Sequence, residues 1–150
     1  MKNTQTRPAL INLNELIGRL ISSYQPLAET QKSFFINDVP NGLLISADHQ
    51  VLATLLGSIF YIVARSTSSN YIHVHSASEG DRASISITDN SPSGTYGILY
   101  EFQHLRLLSK PLDGFLQIET RYNKETTITF NFHNDAASFY TAQNELRIVA

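Results

Sequence analysis

The sequence predicts an α+β domain, a two-layer α/β sandwich with about three helices on one face of a mixed, mostly antiparallel sheet. Two observations carry this prediction. Residues 48–67 place apolar side chains at helical spacing, which is typical of a helix that packs one broad stripe against a core. Residues 71–75 and 83–89 alternate apolar and polar side chains, as half-buried strands do. The Ser-, Glu-, Gly- and Asp-rich segment between these strands predicts a hairpin loop.

The part of the chain before the long helix predicts short strands around one further helix. Strands are predicted at residues 9–11, 33–39 and 43–47, and a Pro-Asn-Gly turn joins the last two. Asn12 or Asn14 is expected to cap a helix that runs to about Thr30. Pro26 predicts a bend or interruption near Gln25, because proline has no amide proton and crowds the preceding turn.

The long helix and the chain after the hairpin complete the two layers. Asp48 is a suitable N-cap, since a carboxylate favours the positive end of the helix dipole. The expected buried face of this helix consists of Leu52, Leu55, Leu56, Ile59 and Val63. Further on, residues 96–108 predict a third helix, closed by residues 111–114. Strands are predicted at residues 115–120 and 126–132, paired through a turn at 122–124.

Composition bounds the class of protein and its partners. The chain has 150 residues, 42% of them hydrophobic, and a net charge of -2, so we expect one folded domain with its own core. Nucleic acid is not an expected partner, because binding it requires a density of Lys and Arg that this sequence lacks. The absence of cysteine excludes disulfides and thiolate chemistry. The longest apolar run is too short to span a membrane, and we expect a soluble cytoplasmic domain with no membrane partner.

Three segments are distinguished along the chain. Residues 1–8 are expected to form a flexible tail, residues 9–133 the domain, and residues 134–150 a C-terminal extension. Within the extension, Asn134 is a suitable cap for a short helix. The apolar end of the chain is expected to dock on this domain or to pair with another copy.

A family resemblance rests on the order of the elements around the long helix. An aspartate-capped helix, a hairpin and a strand that ends in Asp89-Asn90-Ser91-Pro92-Ser93-Gly94 follow one another. This order resembles the ATP-binding domain of sensor histidine kinases, the Bergerat-type fold that gyrase, heat-shock chaperone and MutL ATPases share. Residues 11–16, 26–28, 34–38 and 44–48 are similar to that domain's entry segment, and residues 124–130 resemble its last strand. The resemblance covers roughly residues 9–133.

The resemblance implies that the magnesium site is degenerate. In a working relative, the long helix supplies an asparagine whose oxygen holds Mg²⁺ against the nucleotide phosphates. Aligning Arg65-Ser66-Thr67 with the family's Lys-Phe/Tyr-Thr places Ile62 at that asparagine and Ser58 at a second, more variable one. Isoleucine cannot ligate a cation that takes oxygen donors, and a register shifted by one residue would bring only Tyr61 or Val63 to the position. Since Mg²⁺ contributes much of phosphoryl transfer, the resemblance implies a scaffold without catalysis.

The strand-end motif corresponds to the adenine end of the family's site. Asp89 aligns with the aspartate that accepts a hydrogen bond from the adenine amino group, although the same residues also make an ordinary turn. Ser91 and Ser93 stand where the family has two glycines, and Gly94 comes one place late. The added side chains narrow the approach of a base to the backbone. Thr126 aligns with the threonine that backs the adenine pocket.

The nucleotide lid of the family is missing from this sequence. Relatives place a long loop between two glycine boxes, and the second box cradles phosphates at a helix N-terminus. Here Gly94 and Gly97 are nearly adjacent, so Gly97 is at most a remnant of the second box. No phosphoacceptor hairpin is found before residue 9. His73 and His75 share one strand face, but two ligands make a poor zinc site, so we expect a solvated strand face and no bound metal.

These observations favour a degenerate histidine-kinase-like ATPase domain that acts as a non-catalytic binding or dimerisation module in two-component-type signalling. A kinase, a response regulator or a second copy is the expected partner, and no cofactor is required. One alternative is a stand-alone ATP-dependent protein kinase that resembles the anti-sigma-factor kinases, for which ATP and Mg²⁺ would be needed. Another is a small-molecule sensor that reuses the adenine pocket, with Asp89 and Thr126 as polar contacts.

Overall fold

A computed structural model describes residues 7–91, 95–121 and 124–136 of the chain. The strands and helices are, in chain order, β1 (Pro8–Asn12), α1 (Leu13–Thr30), β2 (Phe34–Asn37), β3 (Leu44–Asp48), α2 (His49–Ser66), β4 (Tyr71–Glu79), β5 (Arg82–Asp89), α3 (Thr95–Ser109), β6 (Phe115–Thr120) and β7 (Thr126–His133). A short 3-10 helix, Lys110–Leu112, follows α3. In space the 5-stranded sheet has the order β2-β4-β5-β7-β6, and β1 pairs with β3 in a separate 2-stranded sheet.

The larger sheet is mixed, as predicted. Its edge strand β2 runs parallel to β4, and the remaining neighbours are antiparallel. The register places Asp89 opposite Ile72 on one side and opposite Thr126 on the other. The last residue of β5 therefore lies beside the first residue of β7, and both are at the same end of the sheet.

Helix α2 lies between the other two helices and supplies much of the core. It contacts both α1 and α3. The five side chains predicted for its buried face are fully buried, namely Leu52, Leu55, Leu56, Ile59 and Val63. Phe60 is buried as well and stacks on Phe35 of β2 with 4.9 Å between the ring centroids. The buried surface of α2 is thus broader than one stripe, as expected for a helix with neighbours on several sides. Within the described ranges, no helix has both the length and the apolar character needed to cross a bilayer.

The helix caps confirm one prediction and settle the choice between Asn12 and Asn14 that the sequence left open. Asp48 caps α2 by accepting a hydrogen bond from the amide of Val51, at 3.0 Å from Oδ1. Its other oxygen accepts one from the amide of Arg7 at 2.7 Å, and the Arg7 and Val51 amides together lower the pKa of this carboxyl. Asn12 caps α1 through the amide of Glu15. Asn14 instead donates to the carbonyl of Val39 at 2.7 Å.

The predicted interruption at Pro26 is wrong, because α1 continues from Leu13 to Thr30 with the proline inside it. Pro26 is exposed, so water can reach the carbonyl that its ring leaves unpaired. The turns around it are anchored on the other side of the helix. Gln25 accepts a hydrogen bond from the amide of Phe35 at 2.9 Å, and Ala28 is fully buried.

The hairpin is also tighter than predicted. Strand β4 continues to Glu79 and β5 begins at Arg82, so the loop expected between residues 75 and 83 is a short turn. Gly80 makes this possible with a φ of 63°, a left-handed conformation that glycine adopts without steric cost. Residues 76–79 and Arg82 therefore lie on strands, and the outer end of β4 is exposed over residues 77–79.

Candidate functional site

The side of α2 that is turned away from the sheet forms a groove with α1 and α3. The groove has a volume of about 420 Å³, and the described residues that line it are Tyr24, Ala53, Thr54, Gly57, Ser58, Tyr61, Ile62, Arg65, Glu101 and His104. Ser58, Ile62 and Arg65, which the resemblance assigns to the phosphate end of the nucleotide site, therefore face one cavity. We call it the α2 groove.

The α2 groove has few oxygen donors for a cation. Ile62 is 4% exposed and belongs to the hydrophobic core. Ser58 donates its hydroxyl to the carbonyl of Thr54 in its own helix, at 2.9 Å. Mg²⁺ is usually bound through one or two carboxylates together with substrate phosphates, and Glu101 supplies the one carboxylate among the described lining residues. No group of three or more His, Cys, Asp or Glu side chains in the described part of the chain is arranged to hold a metal.

The charges in the α2 groove do not favour a triphosphate either. Arg65 is the one described cation there at neutral pH, and Glu101 contributes a carboxylate from α3. The guanidinium lies over the ring of Tyr61, 5.1 Å from its centroid, which is a cation–π arrangement. One positive and one negative charge cancel at long range, so the groove does not attract a strongly anionic ligand.

A second polar site lies at the end of the central strands and is built around Asp89. This side chain is 1% exposed. Its Oδ1 accepts hydrogen bonds from the hydroxyl of Thr67 and from the amide of Ser91, both at 3.0 Å. Its Oδ2 is buried and has no hydrogen-bond partner in the described part of the chain. Burial raises the pKa of Asp89, and the Ser91 and Thr67 hydrogen bonds oppose that effect in part.

A chain of hydrogen-bonded hydroxyl groups leads from Asp89 through Thr67 to Ser33. Thr67 gives its single hydroxyl proton to Asp89, so Ser33, at 3.0 Å, must donate to the oxygen of Thr67. Ser33 in turn accepts a hydrogen bond from the amide of Asn70 at 3.1 Å. Both hydroxyl residues are buried. We call Ser33, Thr67, Asp89 and the Ser91 amide the Asp89 network.

Sequence reasoning missed two of the four members of the Asp89 network, Ser33 and Thr67. Thr67 served only to fix the alignment at the end of α2, and Ser33 was placed at the start of a strand with no role. The two residues are 34 positions apart, so no local spacing relates them. A polar residue just before a strand and another just after a helix were the available signals, and both are common in loops.

The remaining assigned residues lie beside Asp89, in the connection between β5 and α3, or at the start of α3. Ser91 and Thr126 are buried beside Asp89. Gly97 lies near the beginning of α3, while Ser93 and Gly94 lie outside the described residues. Helix α3 begins at Thr95, so only residues 90–94 connect it to β5. The short connection agrees with the absence of the long lid that the resemblance would require. The roles assigned to these residues stay predictions.

The paired histidines have separate surroundings. His73 Nδ1 lies 3.0 Å from the carboxylate of Asp38. His75 is exposed one step further along the same strand face. His133 lies between Asp81 and Asp135, at 3.5 Å from the first and 2.6 Å from the second. These contacts are those of partly exposed surface histidines with acidic neighbours.

Comparisons with known proteins agree with this architecture. No family model matches the sequence, and no curated protein matches it. Solved structures do match. The histidine kinase AdeS of Acinetobacter baumannii superposes with a TM-score of 0.75 at 12% identity, over 86% of this chain and 68% of that one. The catalytic domain of histidine kinase ThkA, in a nucleotide-free form, gives 0.68 at 17% identity, over 85% of this chain and 96% of that one.

A third match is full-length ShkA in complex with AMPPNP, with a TM-score of 0.73 at 14% identity. It covers 89% of this chain but only 32% of ShkA, so the chain spans about a third of that kinase. At these identities the matches show the fold alone. The predicted resemblance and the predicted fold class are both confirmed at that level. The chain has the fold of the catalytic, ATP-binding domain of histidine kinases.

Proposed function

We propose that the chain is a degenerate histidine-kinase-like ATPase domain that acts as a non-catalytic binding or dimerisation module in two-component-type signalling. The observation that carries this proposal is Ile62. It occupies the position that the resemblance assigns to the magnesium ligand, and it is 4% exposed within the core. An apolar side chain there offers no oxygen to a cation and leaves the adjoining phosphates without a counter-charge.

Two further observations support the absence of phosphoryl transfer. Glu101 adds a carboxylate to the α2 groove, where a triphosphate would require positive charge. The connection of residues 90–94 is too short for a lid that closes over a nucleotide. Phosphoryl transfer depends on positioning of the nucleotide and on electrostatic stabilisation of its negative charge. The short connection weakens the first, and the carboxylate of Glu101 weakens the second.

A binding role requires a surface for a partner, and the edge strand β2 supplies a candidate. Phe34 and Tyr71 lie on adjacent strands, are 50% and 53% exposed, and contact each other with ring centroids 6.3 Å apart. Adjacent exposed aromatic side chains are typical of protein–protein contacts. We propose a kinase, a response regulator or a second copy as the partner, in the cytoplasm and without a cofactor.

Isothermal titration calorimetry with ATP and ADP, each with and without Mg²⁺, tests the proposal. We expect no binding that depends on the metal. Micromolar binding that requires Mg²⁺ would contradict it and favour the stand-alone kinase. Transfer of radiolabelled phosphate from ATP to a protein would establish that alternative directly.

A second candidate function is favoured by one observation, the unpartnered Oδ2 of Asp89. A buried carboxylate oxygen without a donor is costly, and a ligand with an amino group would satisfy it. The chain would then be a sensor of a small molecule such as a nucleoside or a cyclic nucleotide. A thermal-shift screen with these compounds tests the idea, since a ligand of the folded state raises the melting temperature. The response should disappear in Asp89→Asn.

A further inference from the structure

The α2 groove holds two opposite charges that come from different helices. Arg65 belongs to α2 and Glu101 to α3, and both line the groove. In the described part of the chain neither forms a salt bridge, and the Arg65 guanidinium lies over the ring of Tyr61. Two opposite charges that face one cavity without pairing leave room for a ligand that carries both charges.

Between these two charges the α2 groove is lined by two aromatic rings and a glycine. Tyr24 and Tyr61 meet edge to face, with ring centroids 6.5 Å apart. Gly57 lies beneath them, and a Cβ there would come within 3.3 Å of the Tyr24 hydroxyl. The missing side chain at residue 57 thus lets the phenol ring lie against α2. Together these groups form an apolar surface beside the charged rim.

We propose that the α2 groove binds a small zwitterion of the α-amino acid class with an apolar or aromatic side chain. The ligand's carboxylate would pair with Arg65, whose planar guanidinium suits bidentate contact. Its ammonium would pair with Glu101, and its side chain would lie against Tyr24 and Tyr61. The volume of about 420 Å³ falls within the usual range for small-molecule sites.

This inference rests on the proposed function, because a magnesium-bound triphosphate would occupy the same groove. The charge balance separates the two kinds of ligand. A zwitterion meets one cation and one anion, as the groove provides. A triphosphate meets one cation and is repelled by Glu101.

The test is a titration of the chain with each of the 20 or so standard L-amino acids, by thermal shift and then by calorimetry. We expect at least one with an apolar or aromatic side chain to bind. For L-phenylalanine the matched probes are 3-phenylpropionate, which lacks the ammonium, and phenethylamine, which lacks the carboxylate. Each should bind at least about 10-fold more weakly, since each forfeits one charge-assisted contact. Failure of every amino acid, or equal binding of all three probes, overturns the inference.

Two variants assign the contacts, and a third serves as the matched control. Arg65→Gln and Glu101→Gln should each weaken the amino acid at least about 10-fold. Arg106→Gln should not, because Arg106 is exposed on α3 and lies outside the groove. Unchanged melting temperatures without ligand would show that the variants fold. If Arg106→Gln weakens binding as much as Arg65→Gln, the groove is not the site.

A titration with ATP and Mg²⁺ on the same protein separates the two possible failures. Metal-dependent ATP binding overturns the proposed function, and this inference with it. If neither ATP nor any amino acid binds, only the inference about the α2 groove is overturned.

Discussion

The Asp89 network and the α2 groove differ in what their polar groups do. At the Asp89 end, buried polar atoms form a continuous chain of hydrogen bonds that links the start of β2, the end of α2 and the end of β5. At the α2 groove, the central position holds an isoleucine that packs into the core. Polar groups are thus buried and hydrogen-bonded in the Asp89 network, whereas an apolar side chain is buried at the centre of the α2 groove.

This difference shows which part of the site the fold itself depends on. The Asp89 network satisfies buried donors on three elements, so its residues stabilise the scaffold whether or not a ligand binds. A magnesium ligand at residue 62 would contribute nothing to packing. An isoleucine there buries apolar surface, which is worth about 1.5–3 kcal/mol for a side chain of this size. Under the proposed function, the scaffold is therefore expected to stay stable without a magnesium ligand at residue 62.

The largest effect is expected from a substitution in the hydrophobic core, on the buried side of α2. Phe60→Ala should lower the free energy of unfolding by about 3–5 kcal/mol, because Phe60 is fully buried and stacks on Phe35. Urea denaturation measures it. Tyr61→Ala is the neighbouring control, with a side chain 46% exposed, and should cost much less. Equal costs for the two variants would show that the core does not run through α2 as described.

A smaller effect is expected at the phosphate end itself. Ile62→Asn should lower the free energy of unfolding by about 2–4 kcal/mol, because it removes apolar burial and buries an amide. Ile62→Val is the control, at about 0.5–1.5 kcal/mol. The asparagine variant should still show no Mg²⁺-dependent ATP binding, since Glu101 and the short connection remain. Recovery of tight binding in Ile62→Asn would show that one residue separates this chain from an active site.

The Asp89 end should respond to the loss of its acceptor. Asp89→Ala removes the oxygen that accepts hydrogen bonds from the Thr67 hydroxyl and the Ser91 amide, so the free energy of unfolding should fall by about 1–3 kcal/mol. Ser58→Ala at the other end should change it by less than about 0.5 kcal/mol, because that hydroxyl bonds only within its own helix. Chemical denaturation of the two variants compares the ends directly. If Ser58→Ala lowered the free energy of unfolding as much as Asp89→Ala, the difference between the α2 groove and the Asp89 network would be contradicted.

A pH titration should give opposite signs for two aspartates. Burial raises the pKa of Asp89 above its ordinary value of 3.8, so the folded state binds the proton more tightly and stability falls as pH rises through this folded-state pKa. The Arg7 and Val51 amides lower the pKa of Asp48, so its contribution is present above pH 3.8 and falls as pH drops through its folded-state pKa. Denaturation of Asp89→Asn and Asp48→Asn against wild type across acid to neutral pH checks both directions. If the contributions of Asp89 and Asp48 to stability changed with pH in the same direction, the surroundings described for these two carboxyl groups would be contradicted.

Much of the fold was predictable because its signals are local. The apolar stripe of α2, the Asp48 cap and the bounds of β6 follow from neighbouring residues, and the structure confirms all three. The continuity of α1 through Pro26 was not predictable, because it depends on contacts between Gln25 and β2. At Pro26, contacts between α1 and the sheet outweigh the low helix propensity of proline.

The site was less predictable than the fold for a similar reason. Asp89 and Ile62 were singled out by the family resemblance, and the sequence itself contained no sign of their surroundings. The hydroxyl of Ser33 reaches Thr67 only after β2 and β4 pair. The α2 groove likewise needs α3 to lie against α2 before Glu101 faces Arg65.

The most direct measurement of the central claim compares adenosine with ATP and Mg²⁺ by calorimetry on the same preparation. If the phosphate end no longer recognises phosphates, the triphosphate and the metal should add no affinity beyond that of adenosine, whatever its value. Binding of ATP with Mg²⁺ that is 10-fold or more tighter than that of adenosine, about 1.4 kcal/mol, would contradict the account.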